Sequence, residues 1–349
     1  MLSGGLHRQR SHFYNLPSIK NMMNNQPKNV QQLRCKDILA VAPKTLKTVS
    51  TTDSLADAIK ILRKAEILSL PIVNKDCLNF QDRNESIIAQ EDYNEYVGVL
   101  DVLDVVTFLA FFQGRTPIEE RLEEVLASDL LSLNRHLVEG DKMNGLVVVA
   151  PEQTLAHVLE LEAFGVRRLF VRSPLEKKDD KTFTPLKLLT QSDVLHYLGT
   201  HNFPELEQIQ EQSLGLQHLK DFCLEGYDEE LCICAPDVIT RNAIQALVRC
   251  KAEALAIVDP YTGKFISSLE AADIVRLEIT TEILEKGIDE LPIGHLNTLS
   301  YKETVGEAMT LLNGLRGHCH HVFVVDELHR PIMCLTAEKL LLKICNRTL

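Results

Sequence analysis

Ser54-Leu55-Ala56-Asp57-Ala58-Ile59 opens a helical stretch that leads to Pro71-Ile72-Val73 and then to Gly98-Val99-Leu100-Asp101-Val102-Leu103-Asp104. The same succession returns three more times. Its helical openings are Thr154-Leu155-Ala156-His157-Val158-Leu159, Ile239-Thr240-Arg241-Asn242-Ala243-Ile244 and Thr304-Val305-Gly306-Glu307-Ala308-Met309. Its apolar runs are Leu169-Phe170-Val171, Ala256-Ile257-Val258 and Val322-Phe323-Val324-Val325. Its closing strands, each running into a helix, are Leu188-Leu189-Thr190-Gln191-Ser192-Asp193, Ser268-Leu269-Glu270-Ala271-Ala272-Asp273 and Cys334-Leu335-Thr336-Ala337-Glu338-Lys339. Self-similarity of this kind dictates a fold made of repeats.

Within a copy the hydrophobic period changes from helix to strand to strand to helix. In the first copy Leu55, Ile59, Ile61 and Leu62 form an apolar face, and Thr52-Asp53-Ser54 supplies capping chemistry before it. Thr304 precedes Glu307 at the spacing of a capping box. Pro151 and Pro236 stand ahead of the second and third opening helices, and Pro204-Glu205-Leu206-Glu207 reads as another helix start. Gly98 reads as a close-approach or bulge position. The insertions Asn74 to Tyr96 and Ser173 to Pro185 are polar and charged and read as solvated hairpin loops. A unit of about 50 to 60 residues is too small to bury its faces alone, so the copies are expected to pair. The boundaries read from the pattern are a disordered tail at 1–33 and repeats at 34–112, 113–200, 201–281 and 282–349.

The bulk numbers narrow the function. The 349 residues carry 37 basic and 49 acidic side chains, a formal charge of −12. Such a chain is a poor binder of nucleic acid or of an anionic membrane, so any anion must meet a local basic cluster. The longest apolar stretch, Val97 to Phe112, is interrupted by Asp101 and Asp104 and is no membrane span. Nine scattered cysteines suit reduced thiols in a cytoplasmic or nuclear setting. Cys232-x-Cys234 lacks the further ligands a zinc site needs. The first 36 residues hold six basic residues and no acidic one, which fits a polar tail, with a cleaved presequence as the other reading. No nucleophile elbow, P-loop, kinase catalytic loop or metal-binding His-Glu motif occurs, so a non-enzyme is expected.

The pattern resembles the cystathionine-beta-synthase (CBS) domain, a β-α-β-β-α module of α/β (α+β) type that associates in Bateman pairs. Four copies in one chain resemble the gamma regulatory subunits of AMP-activated and sucrose-non-fermenting-type protein kinases, over about residues 34–345. The resemblance implies a regulatory subunit without a cofactor of its own. It implies binding of AMP, ADP or ATP between paired repeats, and a catalytic alpha and a scaffolding beta subunit as partners. It assigns phosphate contact to the basic pairs Arg167-Arg168 and His320-His321, where the odd copies have Leu68-Ser69 and Glu253-Ala254. It assigns ribose contact to Asp104, Asp193 and Asp273 and to the hydroxyls of Thr190 and Thr336. One site then joins Asp104 to Arg167 and Arg168, a second joins Asp273 to His320 and His321, and Thr190 with Asp193 forms a third. Asp101, Glu270 and Lys339 depart from the family pattern.

The chemistry is sound on its own terms. A carboxylate accepts two hydrogen bonds from a vicinal diol, a helix N-terminus offers free N–H groups, and Arg presents a planar fork to phosphate. A His-based anion site is pH-sensitive. Plainer readings stand beside these. Arg167-Arg168 is also a possible surface pair. His318-Cys319-His320-His321 also suits a strand edge or a metal cluster. The three Asp residues also suit helix capping. Function therefore divides between a nucleotide-responsive kinase subunit and a scaffold with degenerate pockets. A module for an adenosyl ligand without phosphate, such as S-adenosylmethionine, is the third reading.

Overall fold

The computed structural model describes residues 30–41, 46–74, 96–112, 116–131, 147–163, 166–172, 186–201, 203–215, 231–292, 296–312 and 320–348. The two charged insertions, most of the expected tail, and His318 and Cys319 lie outside these residues.

Each repeat builds one three-stranded sheet. The sheets are β1 (Val49–Ser50), β2 (Ser69–Val73) and β3 (Tyr96–Asp101); β4 (Val147–Val149), β5 (Arg168–Arg172) and β6 (Leu186–Thr190); β7 (Ile233–Cys234), β8 (Ala254–Val258) and β9 (Phe265–Glu270); and β10 (Thr298–Ser300), β11 (His321–Val325) and β12 (Pro331–Thr336). In each, the first strand runs parallel to the second and the third returns antiparallel. A parallel neighbour needs a crossover, which a helix supplies, whereas the antiparallel neighbour needs only a hairpin. The middle strands β2, β8 and β11 are buried at all five positions. Their unbroken apolar runs follow from having both faces covered.

The crossover helices are α2 (Leu55–Ala65), α5 (Leu155–Ala163), α8 (Thr240–Arg249) and α11 (Val305–Leu312). In α2 the buried stripe is Leu55, Ala58, Ile59 and Leu62. Ala58 rather than Ile61 completes the face, because i, i+3, i+4 and i+7 stack on one side of a helix. Ser54 Oγ accepts the Asp57 N–H at 3.1 Å. Thr304 and Glu307 cap each other, with Thr304 N–H donating to Glu307 Oε2 at 2.7 Å and Glu307 N–H to Thr304 Oγ1 at 3.2 Å. The closing strands run directly into α3 (Val102–Phe111), α6 (Gln191–Thr200), α9 (Ala271–Arg276) and α12 (Ala337–Thr348). Four connecting helices, α1 (Cys35–Val41), α4 (Ile118–Glu124), α7 (Pro204–Gln210) and α10 (Thr281–Glu285), precede the repeats or link them. Pro204 sits at the start of α7, where its missing N–H is not needed.

Two kinds of seam join the four units. Through their sheets the first repeat packs on the second, around Val73, Tyr96, Phe170 and Leu186. The third packs on the fourth around Ala256, Phe265, Phe323 and Val325. These are the Bateman-type pairs. Through their helices the pairing is crosswise. Leu109 and Val106 of the first repeat share a core with Ile244 and Leu247 of the third. Leu155 and Val194 of the second share another with Met309, Leu340 and Ile344 of the fourth.

The connectors do not pack on the repeat they precede in sequence. Isolated bridges tie Arg34 to Thr154, Leu126 to Ser54, Ser213 to Thr304 and Gly287 to Ile239. Residues 30–39 therefore cover the second repeat, and Val30 and Leu33 inside the expected tail are buried there. Ile118 and Leu122 likewise serve the first repeat. Apolar connectors lie against whichever helix face is left open, which the boundaries read in covalent order do not convey. Gly98 stands opposite Ile72 at a register shift, and a Cβ there would meet Leu131 Cδ1 at 2.8 Å. Among the described residues no helix is long and apolar enough to cross a membrane.

Candidate functional site at the centre of the four repeats

The site follows from strand register. In every repeat the first residue of the middle strand lies opposite the last residue of the closing strand: Ser69 with Asp101, Arg168 with Thr190, Ala254 with Glu270, and His321 with Thr336. Asp101, Thr190 and Glu270 are in turn the N-caps of α3, α6 and α9. Each repeat thus offers one corner made of a strand start and a helix start. The four corners meet around a cavity of about 50 Å³, whose lining includes Asp101, Arg167, Arg168, Glu253, His320 and His321.

Arg167, Arg168 and His321 each pair with a carboxylate at this centre, while the two buried oxygens of Glu270 have no hydrogen-bond partner. Arg168 donates from Nε to Ser69 Oγ at 2.9 Å and from Nη1 to the Arg167 carbonyl at 3.1 Å, and its Nη2 lies 3.2 Å from Asp101 Oδ2. Arg167 forms an ion pair with Glu253 of the third repeat. The other oxygen of that carboxylate lies 3.1 Å from His321 Nε2. His321 Nδ1 stands 3.6 Å from Glu270, a residue with no exposed surface.

Protonation follows from these neighbours. Burial alone would push the Glu253 carboxyl up, but Arg167 and His321 hold it well below the usual carboxylate range. Burial alone would push the His321 imidazole down, but Glu253 and Glu270 lift it to about 9. Burial opposes the charge on Arg167 too, and Glu253 and Asp101 more than restore it. Burial pushes His320 down to about 4, a shift that Glu270 opposes without reversing. Near neutral pH, His321 is therefore a cation and His320 is neutral.

The centre gathers Arg167, Arg168, His320, His321 and Thr336 on one cavity, but Asp104, Asp193, Asp273 and Thr190 are not in its lining. The carboxylate facing Arg168 is Asp101 rather than Asp104, and those facing His321 are Glu253 and Glu270 rather than Asp273. The three aspartates lie one turn into their helices and fold back on the cap. Asp104 accepts the Asp101 N–H at 2.7 Å, Asp193 the Thr190 N–H at 3.0 Å, and Asp273 the Glu270 N–H at 2.9 Å. Thr190 Oγ1 also donates to Asp193 at 2.6 Å. Each is the second half of a capping box. In the fourth repeat Lys339 takes that place and donates from Nζ to the Cys334 carbonyl at 2.6 Å.

Glu253, Ser69 and Asp101 belong to the centre, and Glu270 adjoins it, although sequence reasoning assigned none of them a binding role. The signal lay in the alignment of the copies. Glu253 occupies the place held by Arg167 in the second copy and His320 in the fourth. Acid at one corner and base at the neighbouring corner are the two halves of an ion pair. Among the described residues, no three His, Cys, Asp or Glu side chains are grouped to hold a metal ion. Burial pushes the Cys234 thiol up to about 11.

Comparison with known proteins agrees with the fold. Residues 35–77 match the model of the CBS domain family. The chain is 24% identical over 192 residues to the SNF1-related protein kinase regulatory subunit gamma-like PV42a of Arabidopsis thaliana, a match that covers 51% of this chain and 53% of that protein. The chain thus spans about half the length of this curated relative. Among solved structures, protein MJ1225 of Methanocaldococcus jannaschii, offered as an archaeal homologue of g-AMPK, superimposes with a TM-score of 0.62 at 15% identity. That match covers 88% of this chain and 99% of the archaeal one. An uncharacterized conserved protein from Pyrococcus horikoshii gives a TM-score of 0.49 at 16% identity, over 88% of this chain and 98% of its own. The architecture is that of CBS repeats arranged in pairs.

Proposed function

We propose that this chain is a non-catalytic regulatory subunit of a Ser/Thr protein kinase complex, and that an adenine nucleotide acts on it through the central cavity. The observation that carries this reading is the convergence of the basic corner residues of the even repeats, Arg167, Arg168 and His321, on one cavity shared by all four repeats. A ligand there touches both sheet pairs at once. Binding that favours one arrangement of the pairs over another is what couples a ligand to a partner surface. The similarity to a gamma-like kinase subunit supports a catalytic alpha subunit and a scaffolding beta subunit as the partners. AMP, ADP and ATP differ in phosphate charge, which is the property such a basic centre reads.

Co-expression with alpha and beta kinase subunits, followed by affinity capture and mass spectrometry, tests the partner claim. A stable three-chain complex is expected, and its absence ends that claim. Calorimetric titration with AMP and ATP tests the ligand claim.

A second reading, a scaffold with degenerate pockets, is favoured by one observation. The cavity of about 50 Å³ is far below the roughly 300–1,000 Å³ of small-molecule sites. On that reading the complex forms and no nucleotide produces heat even at millimolar concentration.

A further inference from the structure

Glu253 joins two cations from different repeats at the centre. Arg167 comes from the second repeat and His321 from the fourth, and each holds a different oxygen of the Glu253 carboxylate. An anion gripped on two oxygens by a guanidinium and an imidazolium is the arrangement a phosphate monoester finds in a charge-assisted site. The other carboxylates have separate duties. Asp101 caps α3, with its Oδ1 accepting the Leu103 N–H at 3.1 Å, and faces Arg168, which already donates to Ser69 and to the Arg167 carbonyl. Glu270 faces His321, at 3.6 Å. The backbone of Glu253 is fixed, since its carbonyl accepts the Ala271 N–H at 2.8 Å. Its side chain lines the cavity and keeps 31% of its surface exposed, against 5% for His321. The carboxylate is therefore placed to leave without moving the strand behind it.

We propose that Glu253 is a built-in anion: its carboxylate fills the place in the central cavity that the phosphate of a bound monoester would take, and so sets how weakly the chain binds such ligands. This rests on the central placement of a phosphate-bearing ligand argued above. The charges explain why the site closes on itself. With Glu253 in place, Arg167 and His321 are neutralised, and an arriving phosphate meets Glu253, Asp101 and Glu338 as like charges. Without it, Arg167 loses its close partner, and a partly buried cation deprived of its ion pair draws in an anion.

The test is calorimetric titration of AMP, and separately of inorganic pyrophosphate, into the full chain and into Glu253→Gln, Glu253→Ala and the double variant Arg167→Ala/Glu253→Ala. Wild type is expected to bind weakly and Glu253→Ala at least tenfold more tightly. Glu253→Gln, which keeps the side-chain volume, is expected to gain less. The double variant is expected to return to the wild-type level. Folded single variants that bind AMP and pyrophosphate no more tightly than wild type overturn the proposal. If Glu253→Ala does not fold, Glu253→Gln decides alone. The unaltered chain provides a further check, because NMR of ring-labelled histidine must show His321 protonated at pH 8. An imidazole that is neutral there overturns the proposal without any variant. If kinase subunits co-purify while no variant gains affinity, this inference fails and the subunit reading stands. If the variants gain affinity while nothing co-purifies, the reverse holds.

Discussion

Arg168 Nη2 of the second repeat lies 3.2 Å from Asp101 Oδ2 of the first, and both side chains keep under a fifth of their surface exposed. The contact crosses the sheet seam and sits beside the hydrogen bond from Arg168 Nε to Ser69. Removing one partner of such a pair strands the other charge at a cost of about 3 kcal/mol or more. Arg168→Met is therefore expected to lower the free energy of urea unfolding by about that amount. Asp101→Asn is expected to cost less, because the amide oxygen still caps α3. The double variant should fall short of the sum by about 1–3 kcal/mol. Strict additivity would show that the pair contributes no coupling across the seam.

Phe170 and Phe323 are fully buried in middle strands on opposite halves of the molecule. Phe170 packs with Tyr96 at 6.4 Å between ring centroids, and Phe323 with Phe265 at 5.3 Å. Either one truncated to Ala should cost about 3–5 kcal/mol, since little can move in to fill the space. The two sites lie in different seams, so the losses should add in chemical denaturation if the whole chain unfolds together. Two separate unfolding transitions, each shifted by only one of the variants, would show that the sheet pairs unfold independently.

The repeated unit was legible in the chain because its signals are local. Ser54 and Thr304 cap the helices they precede, and the run Pro71-Ile72-Val73 is apolar throughout because β2 is covered on both faces. The crosswise helix seams were not legible. Leu109 meets the face of α8 that carries Leu247, but the helices of every repeat present a similar apolar stripe, and nothing in the stripe names its partner. The exchange of connectors was hidden for the same reason: Leu122 reads as apolar without saying which repeat it covers. At the centre, Arg167, Arg168, His320 and His321 stood out because the family resemblance assigns phosphate contact to the basic pairs of the even copies. Asp101 and Glu270 read as departures from the family pattern that repel phosphate, and Glu253 only as a place without a base. Their role as partners depends on register, which places Asp101 opposite Ser69 and brings four corners from distant parts of the chain to one point.

Glu66 and Lys251 occupy the same place in the first and third repeats, just past helices α2 and α8, and both have φ near +52°. The main chain closes the helix there through Ile67 N–H to Leu62 O at 3.1 Å and Ala252 N–H to Leu247 O at 2.9 Å. A left-handed conformation costs an ordinary residue about 1 kcal/mol that glycine does not incur. Lys251→Gly is expected to raise the free energy of unfolding by up to about 1 kcal/mol, and Glu66→Gly to do the same. Thermal melts of each variant check this. A loss of stability in both would show that the side chains contribute more at these turns than the backbone strain removes.

His321 faces Glu253 and Glu270 from the third repeat and neighbours His320 on its own strand, with Arg168 acting on both His320 and Glu253 from the second. Its folded pKa of about 9 lies above the ordinary histidine value of 6.5. Its protonation therefore stabilises the fold fully below about pH 6.5, and that contribution drains away as the pH rises through about 9. His320 acts in the other direction. Its folded pKa of about 4 lies below the ordinary value, so stability is lost as the pH falls from 6.5 toward 4. Glu253, held low, adds to the acid side, since its contribution is present above the ordinary carboxylate pKa and is lost below it. Unfolding free energy measured in urea from pH 4 to 9.5 should therefore peak between about pH 6 and 7. His321→Gln should flatten the alkaline limb and weaken the acid limb only in part, because Arg167 still holds Glu253 low and burial still holds His320 down, whereas His320→Gln should reduce the acid limb alone. A wild-type profile that is level from pH 7 to 9.5 would mean that His321 is not held as a cation between the two glutamates.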